Sequence, residues 1–327
     1  MRKIITSLLV AIIIIAGCKK IQEGFLSDTM RYIDKNVYCL RGMPLVQSQP
    51  INIDGSTPPI TFEMQNLRTE SDGKPAPKEF FEKYDVLMFK PGMTFDINTD
   101  TTVAELDKKR EWRKVPPMEF NTVSGQISFN RGSVNIPQGK YTFDLKATNV
   151  KGTKVFPAFA TINIVNPLPE DIFVQEDNVA NAFHDVTGAV TAQKNPKLTF
   201  TKVSNDGARI ILKLTDKNGK PFNPKAGEII RRGDRPTFEN YARFNPVVFT
   251  DTAMICDFEV APFPLARYVT PTTDWGHLIY YRIPSQFVNI DGFTPAMYSV
   301  NPRFAFSLKM EGTYIIELRF TDVTKTN

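Results

Sequence analysis

The sequence predicts an all-β chain of two β-sandwich domains, and three observations carry that expectation. Strand-forming aromatics and turn-forming prolines are abundant: 25 Phe, 10 Tyr and 24 Pro stand among 327 residues. Apolar residues recur with a period of two in short runs, among them "ITFEMQNL" (60–67), "YDVLMFKP" (84–91), "GQISFN" (125–130), "YTFDLKATN" (141–149) and "FATINIV" (159–165). Each run is bounded by Gly, Pro, Asn or Asp, which end strands. Helical patterning is confined to two short stretches, 78–83 and 103–113. Strands of this kind bury one face and need a second sheet to cover it.

The chain opens with Arg2 and Lys3, then an apolar run over 4–17. That run is too short to cross a hydrocarbon core of about 30 Å as a helix, but it suits the hydrophobic region of an export signal. Ile15, Ala16 and Gly17 lead directly into Cys18, and small residues before a cut let a peptidase approach the backbone. This order resembles the lipobox of bacterial lipoproteins. The resemblance implies that residues 1–17 are a signal peptide and that Cys18 is the lipidated N-terminus. Two or more acyl chains anchor stably where one does not. Residues 18–35 then read as a tether, and Lys19 and Lys20 can meet anionic headgroups.

The first domain is expected over 36–166. In "GKYTFDLKATN", Tyr141 follows a Gly139-Lys140 turn and opens a strand whose Phe143, Leu145 and Ala147 share one face. A tyrosine at that entry resembles the tyrosine corner of immunoglobulin-like sandwiches, with Phe143 where antibody domains carry a cysteine. "VFPAFATINIV" then closes the domain. "NPLPED" (166–171) places two prolines within three residues and reads as a linker.

The second sandwich, 167–327, repeats some of this vocabulary. "GTYIIELRFTD" (312–322) echoes the segment from Gly139, and "VNIDGFTPA" (288–296) echoes "INIDGSTPP" (51–59). The two echoes lie at different offsets, so they are shared turn and strand solutions rather than a tandem repeat. "ARIILKLTDKNGKPFN" (208–223) predicts a hairpin turning at Asn218-Gly219. No strand is expected after Asp322. This domain reads as immunoglobulin-like or jelly-roll.

Formal charge is +5, and removing the signal with its Arg2 and Lys3 leaves +3. Near-neutrality on a chain of this size gives no warrant for nucleic-acid binding. Apart from Cys18, the cysteines are Cys39 and Cys256, in strand-like runs of different domains. Export makes a disulfide chemically accessible, but buried thiols suit the surrounding pattern better.

Catalytic signals are thin. The only histidines are His184 and His277, and no nucleophile elbow, zinc-protease helix, phosphate loop or dinucleotide fingerprint occurs. The chain therefore reads as a non-enzyme without a cofactor. "DINTDTTVAELD" (96–107) puts Asp96, Asn98, Asp100 and Asp107 at calcium-loop spacing, but Thr101 stands where the sharp turn needs glycine. A solvated Asx-rich loop fits better, and no metal site is assigned. In "KKREWRKVPP", Trp112 lies between Arg110 and Arg113, a cation–π pattern that needs no ligand.

The surface candidate is "TTDWGHLIYYRIP" (272–284). Trp275 stands in a polar turn beside Asp274 and His277, with Tyr280 and Tyr281 on the strand that follows. An aromatic face with carboxylate and imidazole groups at its rim suits stacking and hydrogen bonding to a sugar ring. Successive strand residues face opposite ways, so only one of the two tyrosines can join Trp275. The competing reading is a structural aromatic cluster.

The lipobox with "CKK" (18–20), the "GFLSDTMRY" segment (24–32), the tyrosine corner and the all-β second half resemble a lipoprotein family of the Bacteroidota with a domain of unknown function. Its members are typically encoded beside SusC/SusD-type outer-membrane uptake pairs. The resemblance implies a lipid-anchored outer-membrane protein, at the cell surface or facing the periplasm, that serves glycan capture. The alternative is a non-catalytic structural, adhesive or docking subunit of an outer-membrane complex. Replacing Cys18 with Ala should release the protein from outer-membrane fractions or stall its processing. Unchanged sedimentation and cleavage would refute lipidation at that residue.

Overall fold

The computed structural model describes residues 24–96, 99–258 and 267–326. The expected signal peptide and Cys18 lie outside them. The described chain is built from short strands arranged as sandwiches, and it forms two compact units. The first holds the chain up to Arg41, Leu45–Lys83 and Pro116–Asn166. The second holds Gly42–Pro44, Tyr84–Val115 and Pro167–Asn327.

In the first unit, β1 (Asn36–Leu40), β9 (Gly152–Val165), β8 (Gly139–Asn149) and β3 (Thr61–Thr69) form one sheet in that order. β1 runs parallel to β9 and the other pairs are antiparallel. The second sheet is β2 (Leu45–Gln47), β7 (Ile127–Asn130) and β6 (Met118–Phe120). Both sheets feed one core, including Phe62, Ile127, Phe129, Phe143, Leu145 and Ile162. This strand order, with a first strand switched onto the last, is that of an immunoglobulin-like Greek key.

The corner forms as expected. Tyr141 is 2% exposed and its hydroxyl donates to the Pro137 carbonyl at 3.0 Å. Phe143, fully buried, packs against Phe120 and Phe159 where a disulfide would otherwise sit. Cys39 and Cys256 are buried thiols. Burial, opposed by a hydrogen bond to Ser133, pushes the Cys39 thiol up to about 12.

The described part of the expected tether, 24–35, is anchored at intervals by buried residues. Met30 and Tyr32 lie in the first core, and the Tyr32 hydroxyl donates to the Gly125 carbonyl. Residues 84–115, expected within the first domain, fold with the second unit instead. There β4 (Tyr84–Phe89) pairs with β5 (Arg110–Val115), and Phe95 lies under the Arg243 guanidinium at 5.6 Å. The helix expected over 103–113 stops at Lys109, because Arg110 onward is drawn into the pairing with β4. Trp112 is 64% exposed, while Arg110 turns to Asp107 and Arg113 to Glu111, so the expected cation–π sandwich is absent among the described contacts. Two acids of the calcium-like loop are also spent: Asp100 pairs with Lys109 at 2.7 Å and Asp107 with Arg110, while Asn98 lies outside the described residues.

The second unit has two five-stranded sheets. One is β11 (Val190–Ala192), β10 (Phe173–His184), β21 (Tyr298–Leu308), β19 (Leu278–Arg282) and β14 (Ile230–Arg231). The other is β12 (Lys197–Ser204), β22 (Gly312–Arg319), β13 (Ala208–Thr215), β16 (Met254–Asp257) and β15 (Val248–Phe249). Within it β13 and β22 are parallel. Ile279, Tyr281, Phe304 and Phe306 from the first sheet meet Ile210, Leu212, Tyr314 and Ile316 from the second in one core. The predicted hairpin returns only briefly, through Pro221 and Phe222, with Asp216 accepting from the Asn218 and Lys220 amides. A strand does follow Asp322, contrary to expectation: β23 (Val323–Lys325) pairs with β20 (Val288–Ile290). Three residues are too few to show a period in sequence.

Tyr314 repeats the corner of the first unit. It stands two residues after Gly312, is fully buried, and its hydroxyl meets the Met310 and Glu311 carbonyls at 3.1 and 3.2 Å. Each tyrosine satisfies carbonyls at a strand entry, so Tyr141→Phe and Tyr314→Phe should each cost about 1–3 kcal/mol. Urea unfolding of the full chain, read against the parent, checks this. An unchanged midpoint for either variant would make that hydroxyl dispensable.

Candidate functional site

Of the candidate residues, Tyr280 lies on the face of the β10–β21–β19 sheet that points away from its core, and Trp275 approaches that face. Alternation sets this up. On β21 the even residues Val300, Phe304, Phe306 and Leu308 enter the core, leaving Ser299, Asn301 and Arg303 on the opposite face. On β19, Ile279 and Tyr281 enter the core while Tyr280 and Arg282 face outward. Tyr280 stands directly across from Arg303.

Trp275 reaches this face from a small hairpin, β17 (Tyr268–Val269) with β18 (Asp274–Gly276). Gly276 follows it at φ +58°, a left-handed conformation that glycine adopts without steric cost. The Tyr241 hydroxyl braces this corner from below, at 2.8 Å from the Leu278 carbonyl. Trp275 is half-buried and lies outside the core cluster. It meets Tyr280 edge-on, with ring centroids 6.0 Å apart at 84°. Of the two tyrosines, therefore, Tyr280 joins Trp275. Tyr281 is core: its hydroxyl donates to Glu239 at 2.6 Å and accepts from the Phe238 amide at 3.0 Å. Burial, reinforced by Glu239, holds that phenol well above its ordinary range.

The polar candidates are already engaged. Asp274 accepts from the Gly276 amide at 2.9 Å and pairs with Arg267 at 2.8 Å. These contacts, the amide first, hold its carboxyl below the usual range, so it is a fixed anion at neutral pH. His277 turns away to Glu176, with Nδ1 2.9 and 3.0 Å from the two carboxylate oxygens.

Four arginines surround the aromatic pair, and sequence reasoning assigned none of them. Arg235 lies 5.3 Å from the Trp275 ring centroid and 5.7 Å from that of Tyr280, and Arg232 lies 5.9 Å from Tyr280. Arg282 covers Phe183 at 4.1 Å and donates to Asn301 Oδ1 at 2.9 Å. Arg303 pairs with Asp177 at 2.5 Å. Two signals in the sequence could have found them. "RRGDRP" (231–236) concentrates cations in a turn, and Ser299, Asn301 and Arg303 alternate with the apolar Val300, Pro302 and Phe304.

On the first unit, an open groove of about 510 Å³ is lined by residues that include Arg31, Tyr32, Lys154 and Phe156. Of its two lysines, Lys154 is spent on Asp28 and lies over Phe156.

No protein-family model matches the chain, and no curated protein matches its sequence. Among solved structures it is similar to a SusE-like, surface-located polysaccharide-binding protein from the Bacteroides thetaiotaomicron heparin utilisation locus. The identity is 8% and the TM-score 0.24, over 89% of this chain and 53% of that one, so the chain spans about half the length of that protein. An alignment at this level defines no shared family.

The two tyrosines separate core from site. Tyr281→Phe leaves a buried amide without its acceptor and should cost about 1–3 kcal/mol, whereas Tyr280→Phe should cost about 1 kcal/mol or less. Denaturant unfolding of both variants checks the ordering, and the reverse ordering would contradict these placements.

Proposed function

We propose that this chain is a lipid-anchored cell-envelope protein that captures glycan on its second unit, as an accessory component of an outer-membrane polysaccharide uptake system. The observation that carries the reading is the position of Trp275. It stands half-exposed on the sheet face opposite the core, edge-on to Tyr280 and rimmed by charged groups. A large aromatic in such a setting offers a sugar ring contact area and orienting hydrogen bonds together. The lipobox-like order ending in Cys18 supports the anchor.

The reading is one of binding rather than catalysis. Asp274 and Asp177 are each paired with an arginine, so neither stands free as a general acid or base. Among the described residues, no helix is long and apolar enough to cross a membrane.

A stacked aromatic contributes only about 1 kcal/mol beyond its buried area, so single-site affinity is weak and many anchored copies act together on a polymer. Trp275→Ala should abolish retention on polysaccharide columns while lowering the thermal midpoint by ~4 °C or less. A large stability loss with retention intact would make Trp275 structural and favour a docking or adhesive subunit.

A further inference from the structure

We infer that the Trp275–Tyr280 site selects an anionic glycan, one whose carboxylate or sulfate groups are held by Arg232, Arg235 and Arg282. This rests on the glycan-binding reading above and adds the chemical class of the ligand.

Positive charge is concentrated here beyond what the protein neutralises. Arg232 and Arg235 both lie within 6 Å of the Tyr280 ring centroid, at 5.9 and 5.7 Å. Arg282 stands two residues along the same face of β19, and Arg303 stands across from Tyr280. Arg303 has Asp177, but among the described residues Arg232, Arg235 and Arg282 pair with no carboxylate. Asp234, between the first two in sequence, is exposed and bridges to neither. The crowding is felt: burial, and then Arg235, Arg282 and Arg303, push the Arg232 guanidinium below its ordinary range.

A second, independent observation points to the same ligand. Asn301 is fully buried; its Oδ1 accepts from Arg282 Nε at 2.9 Å, and its Nδ2 has no partner. A buried donor left unpaired is costly. An oxyanion beside Arg282 supplies both the acceptor that Nδ2 lacks and the charge that the guanidinium lacks. A neutral sugar hydroxyl supplies at most the first. Arg235 also lies over the Trp275 ring, so a ligand stacking there meets a cation as well as an aromatic face. Guanidinium forks match carboxylate and sulfate geometry in a way that lysine does not.

The test uses the full-length lipidated protein in detergent at physiological salt. Its binding to neutral dextran, dextran sulfate and polygalacturonate is titrated, with inorganic sulfate as competitor. The parent should bind the charged polymers more tightly than dextran, and the preferred polymer shows whether sulfate or carboxylate is the better fit. Arg232→Gln/Arg235→Gln should weaken charged-polymer binding about tenfold or more, with a thermal midpoint at or above the parent's because like-charge repulsion is relieved. Lys197→Gln/Lys225→Gln, which removes two exposed lysines of the same unit, should bind as the parent does. Equal binding of dextran and both charged polymers, unaffected by the arginine changes, would overturn the inference and leave the glycan reading standing. Equal weakening by the lysine changes would reduce the effect to diffuse charge and overturn it too. A marked fall in midpoint for the arginine variant would make the cluster structural. If inorganic sulfate binds and loses affinity in the arginine variant while no polymer binds, the anion site stands and the glycan reading fails. If nothing binds, both fail.

Discussion

The register of β19 on β21 is the constraint on which the second unit depends. Ile279 lies opposite Phe304 and Tyr280 opposite Arg303. The first pair is buried in the core, and the second faces the other way. Side chains alternate strictly along a strand, so a slip of one residue would exchange the two faces. It would carry the Arg282 charge of β19 into an apolar core, where an ion costs several kcal/mol to desolvate, and would turn Ile279 and Tyr281 out of it. With the register fixed, the outward face of two central strands presents Asn301, Arg303, Tyr280 and Arg282 together. The amide of Tyr280 then binds the Pro236 carbonyl at 2.8 Å, and β14 pairs with β19 just beyond. Those two contacts bring the segment with Arg232 and Arg235 alongside.

What the sequence revealed follows from how local each feature is. The corner at Tyr141 involves a hydroxyl and a carbonyl four residues apart, so a single segment contains it. The opposed faces of Tyr280 and Tyr281 follow from strand periodicity alone. The arginines escaped notice because they come from three separate segments, joined only by strand pairing between positions tens of residues apart. The fate of residues 84–115 was illegible for a related reason. Their alternation announces a strand, but no local pattern states which unit receives it. The helix expected through Arg113 failed where propensity met a partner, since each residue from Arg110 to Val115 gains a cross-strand neighbour in β4.

Charge is handled differently in the two units. In the first, Arg68 shares the Asp144 carboxylate with Asn66 and the Ala158 amide. Burial alone would raise that carboxyl, but these donors outweigh it and hold it low. Lys146 meets Glu63 across the β3–β8 pair. Such cations are neutralised by the fold itself. On the Tyr280 face of the second unit, by contrast, the fold supplies acids for Arg267 and Arg303 and leaves three guanidiniums on aromatic rings or an amide. Rings attract cations only weakly, by about 0.5–1 kcal/mol at exposed sites. They position these charges without cancelling them.

Positioning without cancelling is what a weak, selective site requires. A long arginine loses rotamer freedom when it binds, and that cost of ordering is subtracted from affinity. Resting Arg235 across Trp275 and Tyr280, and tying Arg282 to Asn301 above Phe183, settles much of that ordering before any ligand arrives. The rings are themselves fixed, since Tyr280 is 7% exposed and stands on a central strand. On the anionic-glycan inference above, an incoming oxyanion would meet oriented donors, and the step left to it would be desolvation. Because that step is shared between exposed and half-buried groups, each encounter stays weak and reversible. On the lipid-anchored reading proposed above, many copies in one membrane plane would turn such encounters into retention of a polymer, since after the first contact each further one is effectively intramolecular.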